Sequence, residues 1–255
     1  MPIAGRFVDW FNRHCQGAGY TLNVLFGAVG QLTGVWRKAG EIVRQLDRIV
    51  FGSLFVTFIV ALFTGMILAL QAGIELSRWG QESSVGLLVS ASMVREMGPV
   101  MTAFILAGLV GSTMAAELGT MRVSEEIDAL QVMSINPLRF LVMPRVLALA
   151  LACPALSIFV DAVGVAGGAV VSRSLLDVNY TTYFIKARDV LEVRDLAGGL
   201  LKALVFGTTI ATIGCAQGLR AEDGAEGVGR ATMRAVVMSF IYVLIFDYLV
   251  AWMLY

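Results

Sequence analysis

One histidine, three cysteines and three lysines are all that 255 residues offer to most metal, thiol and phosphate chemistry. His14 has no cysteine, second histidine or paired carboxylate at ligand spacing, so a metal centre or nucleophilic triad has nothing nearby to be built from. Cys15, Cys153 and Cys215 form neither a CxxC pair nor a disulfide framework, and the last two fall inside apolar runs, where cysteine behaves as a small buried hydrophobe. No GxxxxGK motif ending in Ser or Thr occurs, and the lysines are confined to Lys38, Lys186 and Lys202, so the chain cannot hydrolyse ATP through a phosphate-binding loop. The formal net charge of zero removes any electrostatic reason to expect nucleic acid. The N-terminus lacks the short apolar core and cleavage site of a secretory signal.

What remains is apolar. Hydrophobic residues make up 58% of the chain, and its mean hydropathy of +0.79 exceeds that of soluble domains, so it reads as an all-α integral membrane protein with one domain over 1–255. Ile49 to Leu70 carries no charge and has about the twenty residues a helix needs to cross the hydrocarbon core. Gly86 to Ala116 forms a second span, in which Arg95, Glu96 and the Gly98-Pro99 pair predict a kinked or broken ladder. The third runs from about Leu138 to Ser172, with Pro144 and Pro154 inside and Gly164 and Gly168 at the spacing that permits close helix contact; Pro144 is an alternative start. Leu196 to Leu219 and Ala235 to Tyr255 supply the fourth and fifth. Within 1–48, Ile3, Phe7, Trp10, Phe11 and His14, then Leu22, Leu25, Phe26, Val29, Leu32 and Trp36, recur at helical spacing beside basic residues. That pattern suits an amphipathic helix lying in the membrane interface, with a soluble helix packed on the rest as the alternative.

Lys and Arg outside the spans number twelve on the N-terminal side, six of them up to Arg48, three between Glu117 and Arg145 and three between Arg220 and Arg234. The other side has five: Arg78, Arg173, Lys186, Arg188 and Arg194. This asymmetry predicts a cytoplasmic N-terminus and Glu117 segment, with Tyr255 at the far face.

At a rise of about 1.5 Å per residue, Glu96, Lys202 and Asp247 all fall roughly 9 to 15 Å from the far ends of their helices. Asp161 lies near the same level, and Arg95 adjoins Glu96. Ionisable groups inside a span are costly unless paired or wetted, so this set reads as a mutually neutralising cluster beside a polar cavity. Adjacent residues point in different directions on a helix, and Arg95 and Glu96 need not pair with each other. The plainer alternative is a static clamp between Lys202 and Asp247 with Arg95 snorkelling to the interface, and a narrower functional one is a proton relay, which no histidine joins.

Between spans two and three, the stretch from Glu117 to Arg145 is a charged helix followed by a turn. Val123, Ile127 and Leu130 mark an apolar stripe, and Arg122, Glu125, Glu126, Asp128 and Gln131 supply polar faces. Asn136 before Pro137 ends the helix and predicts a reversal at Ile135 to Leu138. Such a helix could receive force from a soluble partner, or could be an ordinary solvated loop.

The block VREMGPVMTAFILAGLVGSTMAAELGTMRVSEEIDALQVMSINPLRFLVMPR, from Val94 to Arg145, resembles the MlaE (YrbE) permeases of bacterial ABC systems that move phospholipids between membranes, a family with a chloroplast counterpart. LLKALVFG around Lys202, GVGRATMRAVV around Arg230 and the run at Asp247 extend the resemblance over most of the chain. It implies a homodimer in the bacterial inner membrane, with an interfacial N-terminal helix and five membrane helices per protomer. The implied partners are two copies of a separate ABC ATPase (MlaF-like) that binds ATP and Mg, a periplasmic MCE-domain protein (MlaD-like) and often a STAS-domain subunit (MlaB-like). No cofactor is implied for this chain itself.

The Glu117 segment corresponds in this resemblance to a coupling helix, with Glu117, Arg122, Glu125, Glu126 and Asp128 toward the ATPase. Arg95, Glu96, Lys202 and Asp247, with Asp161 at their depth, become transport-associated charges. The far end of span one, with Leu68, Leu70, Gln71 and Leu76, resembles the part that lines a lipid cavity between protomers, although Glu75 is more polar than that role suits. Gly224, Gly227 and Gly229 form a GxxGxG that no strand precedes, and the resemblance places them in a cytoplasmic loop. The rival reading is an ion-coupled secondary transporter using the intramembrane carboxylates; the chain shows no internal repeat of the kind many such folds contain.

Overall fold

The computed structural model describes residues 19–27, 30 and 35–254, without the side chains of 35–37. It is all-helical, with no strand among the described residues. We number the helices α1 (19–27), α2 (Val35–Ser77), α3 (Glu82–Val123), α4 (Glu126–Val132), α5 (Leu138–Leu175), α6 (Tyr180–Asp189), α7 (Val193–Leu219) and α8 (Gly224–Leu254). Five of these, α2, α3, α5, α7 and α8, are long and apolar enough to cross a membrane. They alternate in direction, so α4 and the α7–α8 turn lie at one end of the bundle and α6 at the other.

All five expected spans exist, and each helix runs past at least one of its expected ends. The 43-residue α2 is about 65 Å long, twice the hydrocarbon thickness, because a helix keeps its ladder after its side chains turn polar. The expected run from Ile3 to His14, with Cys15, Val29 and Leu32, lies outside the described residues. Within α1, Val24 is buried in the core while Leu22 and Phe26 are exposed. The ring of Tyr20 lies 5.2 Å from the Arg220 guanidinium, which seats α1 at the α4 end.

The solvent preference of the fold is inverted relative to a soluble protein. Phe51, Phe55, Phe63, Ile67, Ile241, Leu244 and Tyr248 are exposed, whereas Lys202, Asp195, Thr102, Ser157 and Thr212 are buried. That is the distribution expected when the surrounding medium is hydrocarbon.

Small residues set the closest helix crossing, between α2 and α5. A Cβ on Gly65 would land on the Gly164 carbonyl, and one on Gly167 would lie 2.6 Å from the Leu62 carbonyl. Gly168 lies close to the Tyr183 hydroxyl, which itself donates to the Val165 carbonyl at 3.0 Å and ties α6 to α5. The expected Gly164 and Gly168 spacing thus works inside one protomer. Cys153 and Cys215 are buried, as read from the sequence.

Where the sequence predicts a broken ladder, α3 contains a π-turn over Met93–Met97, and a second follows at Ala107–Gly111. A third π-turn at Leu138–Val142 opens α5, with Pro144 directly after it, at the start of the regular helix that begins at Met143. The glycines at 224, 227 and 229 are not a loop: they form the first turns of α8, with Gly224 at φ +67 and Gly227 close to the Glu222 carbonyl.

Candidate functional site

The first π-turn of α3 is where the intramembrane charges gather. Pro99 has no backbone N–H, so the carbonyl of Arg95, four residues earlier, cannot receive its usual helical bond. The Gly98 N–H is taken up by Met93 in the π-turn. The Nζ of Lys202, reaching across from α7, donates to the Arg95 carbonyl at 3.1 Å. The same ammonium contacts Oε2 of Glu96 at 2.6 Å and Oδ1 of Asp247, from α8, at 2.9 Å. The contacts to the Arg95 carbonyl and Glu96 are hydrogen bonds, and the contact to Asp247 is an ion pair.

Glycine brings α7 this close. Gly199, one turn before Lys202, abuts the Val94 carbonyl, where any Cβ would clash. Accessibility grades across the cluster: the Lys202 side chain is 1% exposed, Asp247 19% and Glu96 38%. The lysine is sealed in the bundle, and the cluster opens to the outside through Glu96. Two carboxylates face one ammonium, so the group has an acidic surplus when both are ionised.

Arg95 does not join this cluster. Its guanidinium forms a two-point pair with Asp195, Nε to Oδ1 at 2.8 Å and Nη2 to Oδ2 at 2.9 Å. Asp195 also accepts from the Glu192 backbone at 3.2 Å within a capping box that starts α7. The sequence reading passed over Asp195, yet it stands seven residues before Lys202, two turns away on one helical face. That spacing was the available signal. Asp161, expected at the same depth, stands apart: it is buried on α5 with Oδ1 against Gly98, and this oxygen finds no hydrogen-bond partner among the described residues. The hydroxyl of Ser157, one turn earlier, is likewise buried and unpartnered among them.

The Glu117 to Arg145 stretch divides into parts. Glu117 and Arg122 belong to the last turns of α3, and Glu117 is held by Arg145 at 2.9 Å. The chain breaks at Glu125, whose φ of 60 is left-handed, before α4 begins at Glu126. Arg122 bridges the break to Asp128. Ile127 is buried and Leu130 packs on the core, as the apolar stripe implies, but Val123 is exposed. The sequence reading missed Val132 and Met133, an apolar pair 86% and 61% exposed at the tip of α4. The turn that follows falls at 133–136.

The four cavity candidates on α2 separate by face. Leu68 and Leu76 pack against the protomer's own core beside Ala69, Val85 and Val89, whereas Leu70 and Gln71 are exposed with Ile67 and Ile74. Helical periodicity alone separates 68 and 76 from 70 and 71. Glu75 pairs with Arg78 at 3.2 Å on the exposed surface.

Five long helices around paired intramembrane charges define a multi-pass membrane protein with a polar device in its interior. A family model described as Permease MlaE matches residues 42–253. A probable ABC transporter permease protein of Rickettsia prowazekii is 45% identical over 82% of this chain and 81% of its own length. The chloroplast protein TRIGALACTOSYLDIACYLGLYCEROL 1 of Arabidopsis thaliana is 36% identical over 85% of this chain and 61% of its own. The intermembrane phospholipid transport system permease protein MlaE of Haemophilus influenzae is 32% identical over 98% and 95% respectively. The chain belongs to the MlaE permease family, as a transmembrane permease subunit of an ABC transporter. Permease subunits of that kind are generally non-catalytic.

Proposed function

We propose that this permease moves phospholipid between the inner and outer membranes, driven by ATP hydrolysis in a separate subunit that seats on α4. The observation that carries the reading is the buried Lys202 clasped by Glu96, Asp247 and the Arg95 carbonyl. An ion cluster of this cost is retained inside a membrane where it acts on a polar group in transit. Its opening through Glu96 gives a lipid headgroup a polar partner at depth while acyl chains lie on the apolar flanks. The Haemophilus relative's name, which specifies intermembrane phospholipid transport, supports the same substrate class.

The lack of a phosphate-binding loop in this sequence supports a partner as the energy source. In α4, Glu126 and Asp128 on the first turn are followed by an apolar tip at Val132 and Met133, a combination suited to a groove on a soluble ATPase. Homodimerisation, an MCE-domain protein on the far side and a STAS-domain subunit on the ATPase complete the proposed assembly, with the N-terminus and α4 cytoplasmic and the C-terminus periplasmic.

Reconstitution with the ATPase, following labelled phospholipid, tests the reading. ATP-dependent lipid movement that Lys202→Ala lowers is the expected result. Movement indifferent to ATP and driven by a proton gradient overturns it in favour of ion coupling, for which the unpartnered Asp161 is the residue to examine.

A further inference from the structure

A cavity of about 370 Å³ lies away from the Lys202 cluster, between the first half of α2, the second π-turn and following turns of α3, and the first turns of α5. Its volume is within the range of about 300–1,000 Å³ usual for small-molecule sites. Counting along α3, Val110 on its wall is fourteen residues from Glu96, about 20 Å of helix, so the two sites are separate.

The cavity straddles a boundary. Its wall on α2 runs from Glu41 and Arg44 to Gly52 and Ser53, about 18 Å from the charged turns into the uncharged run that starts at Ile49. The upper part is cationic, with Arg44, Arg48 and Arg145 against Glu41 and Glu117. Arg145 is the fixed cation at the back: its side chain is 13% exposed, it donates to the Leu141 carbonyl at 3.0 Å, and it is bound to Glu117. Arg44 has only a loose 3.7 Å contact with Glu41. Arg48 makes no ion pair among the described residues and is exposed at the mouth. The hydroxyls on the wall are already committed, Ser53 to the Ile49 carbonyl at 2.7 Å and Thr113 to that of Leu109 at 2.6 Å. The donors left for a ligand are therefore the guanidinium groups, which match the oxygens of a phosphate, and one N–H of the Gln45 amide, whose Nε2 also donates to Glu41 at 3.3 Å.

The lower part is apolar, formed by Ile49, Leu109, Val110 and Met114, and Gly52 contributes no side chain. Arg44, Arg48, Gly52 and Leu109 are all exposed on the flank of the bundle, so the mouth faces the surrounding medium sideways. A cationic upper half above an apolar lower half, opening sideways at the edge of the hydrocarbon run, matches an amphiphile whose phosphate sits at the interface and whose chains stay in the leaflet.

We propose that this cavity binds the headgroup of an anionic phospholipid of the surrounding leaflet, as a resident lipid separate from the transported one. The inference rests on the membrane placement of the α4 end and not on transport. A lipid held there bridges α2 and α5 beside the Glu117–Arg145 pair, at the foot of α4, and so stiffens the part of the bundle that carries the proposed docking helix.

Native mass spectrometry of the full-length protein, incubated with equal phosphatidylglycerol and phosphatidylcholine, tests it. Phosphatidylglycerol is expected to be retained over phosphatidylcholine by about fivefold, and Arg44→Gln with Arg48→Gln to remove most of that preference. Arg230→Gln with Arg234→Gln, the same charge loss at the same end but outside the cavity, is expected to keep it. Equal retention of both lipids by the parent, or equal loss in both double variants, overturns the site. Displacement of phosphatidylglycerol by millimolar inorganic phosphate overturns the lipid assignment in favour of a soluble anion. Labelled-lipid transport is a separate readout, so a failed cavity leaves the proposed transport standing.

Discussion

The Nζ of Lys202 donates to the carbonyl of Arg95 at 3.1 Å and takes the place of the backbone N–H that Pro99 does not have. One proline on α3 thus prepares an acceptor inside the membrane, and one lysine on α7 uses it. Glu96 and Asp247 supply the compensating charge from two helices, so α3, α7 and α8 meet at a single nitrogen. A change in how these helices lie must alter at least one of the three contacts.

Pro99→Ala isolates the backbone part of this arrangement. Alanine restores an N–H at position 99, which competes with Lys202 for the Arg95 carbonyl and removes one cause of the π-turn. Folding is expected to stay within about 1 kcal/mol of the parent, because alanine is the better helix former. Labelled-lipid transport in the reconstituted assembly is expected to fall severalfold. Unchanged transport alongside an unchanged melt shows that the carbonyl contact contributes nothing to function.

The charges can be separated from their structural role. Lys202→Ala leaves Glu96 and Asp247 without their shared cation and is expected to cost about 3–5 kcal/mol, as in other broken buried pairs. Lys202→Met combined with Glu96→Gln and Asp247→Asn removes the imbalance, and its thermal midpoint in detergent is expected to recover most of that loss. Transport is expected to remain lost in the triple variant. Transport that recovers with stability identifies the cluster as a static clamp.

Depth counting along each helix was enough to place Glu96, Lys202 and Asp247 together, because rise per residue is fixed and all five spans were marked by long, mostly apolar runs. Direction around the helix was harder to read. Arg95 turned to Asp195, a pairing visible only once α7 was known to begin with a capping box at Glu192. Leu68 and Leu76 face inward while Leu70 and Gln71 face outward, since lipid and protein interior are both apolar and composition cannot tell them apart. The exposed tip at Val132 and Met133 escaped notice because its meaning lies in its exposure, and an apolar pair in sequence reads equally well as core.

The α2–α5 crossing gives a control on packing within one helix. A Cβ on Gly65 meets the Gly164 carbonyl, backbone against backbone, and neither side can rotate away. Gly65→Ala is expected to destabilise the protein by about 1–3 kcal/mol, the usual range for overpacking. Gly40→Ala, on the same helix with nothing within 4 Å of its Cβ, is expected to be neutral or to stabilise by up to about 1 kcal/mol. Thermal unfolding of the two variants in detergent checks the contrast, and equal midpoints refute the close crossing.

The tip of α4 separates docking from folding. Val132 and Met133 are exposed in the isolated chain, so Val132→Asp with Met133→Asp removes little buried surface and is expected to leave folding within about 0.5 kcal/mol. If the ATPase groove covers this pair, co-purification of the two subunits is expected to fall about tenfold or more, as it does when apolar anchors at the centre of an interface are replaced by charge. Glu125→Lys with Glu126→Lys reverses the charges on the first turn and is expected to weaken the same association while membrane insertion stays intact. Asp128 is tied to Arg122 across the helix break, so Asp128→Asn is expected to loosen α4 and not to abolish docking outright. Undiminished co-purification by both double variants moves the docking site away from α4, and with it the route by which ATP hydrolysis reaches Lys202.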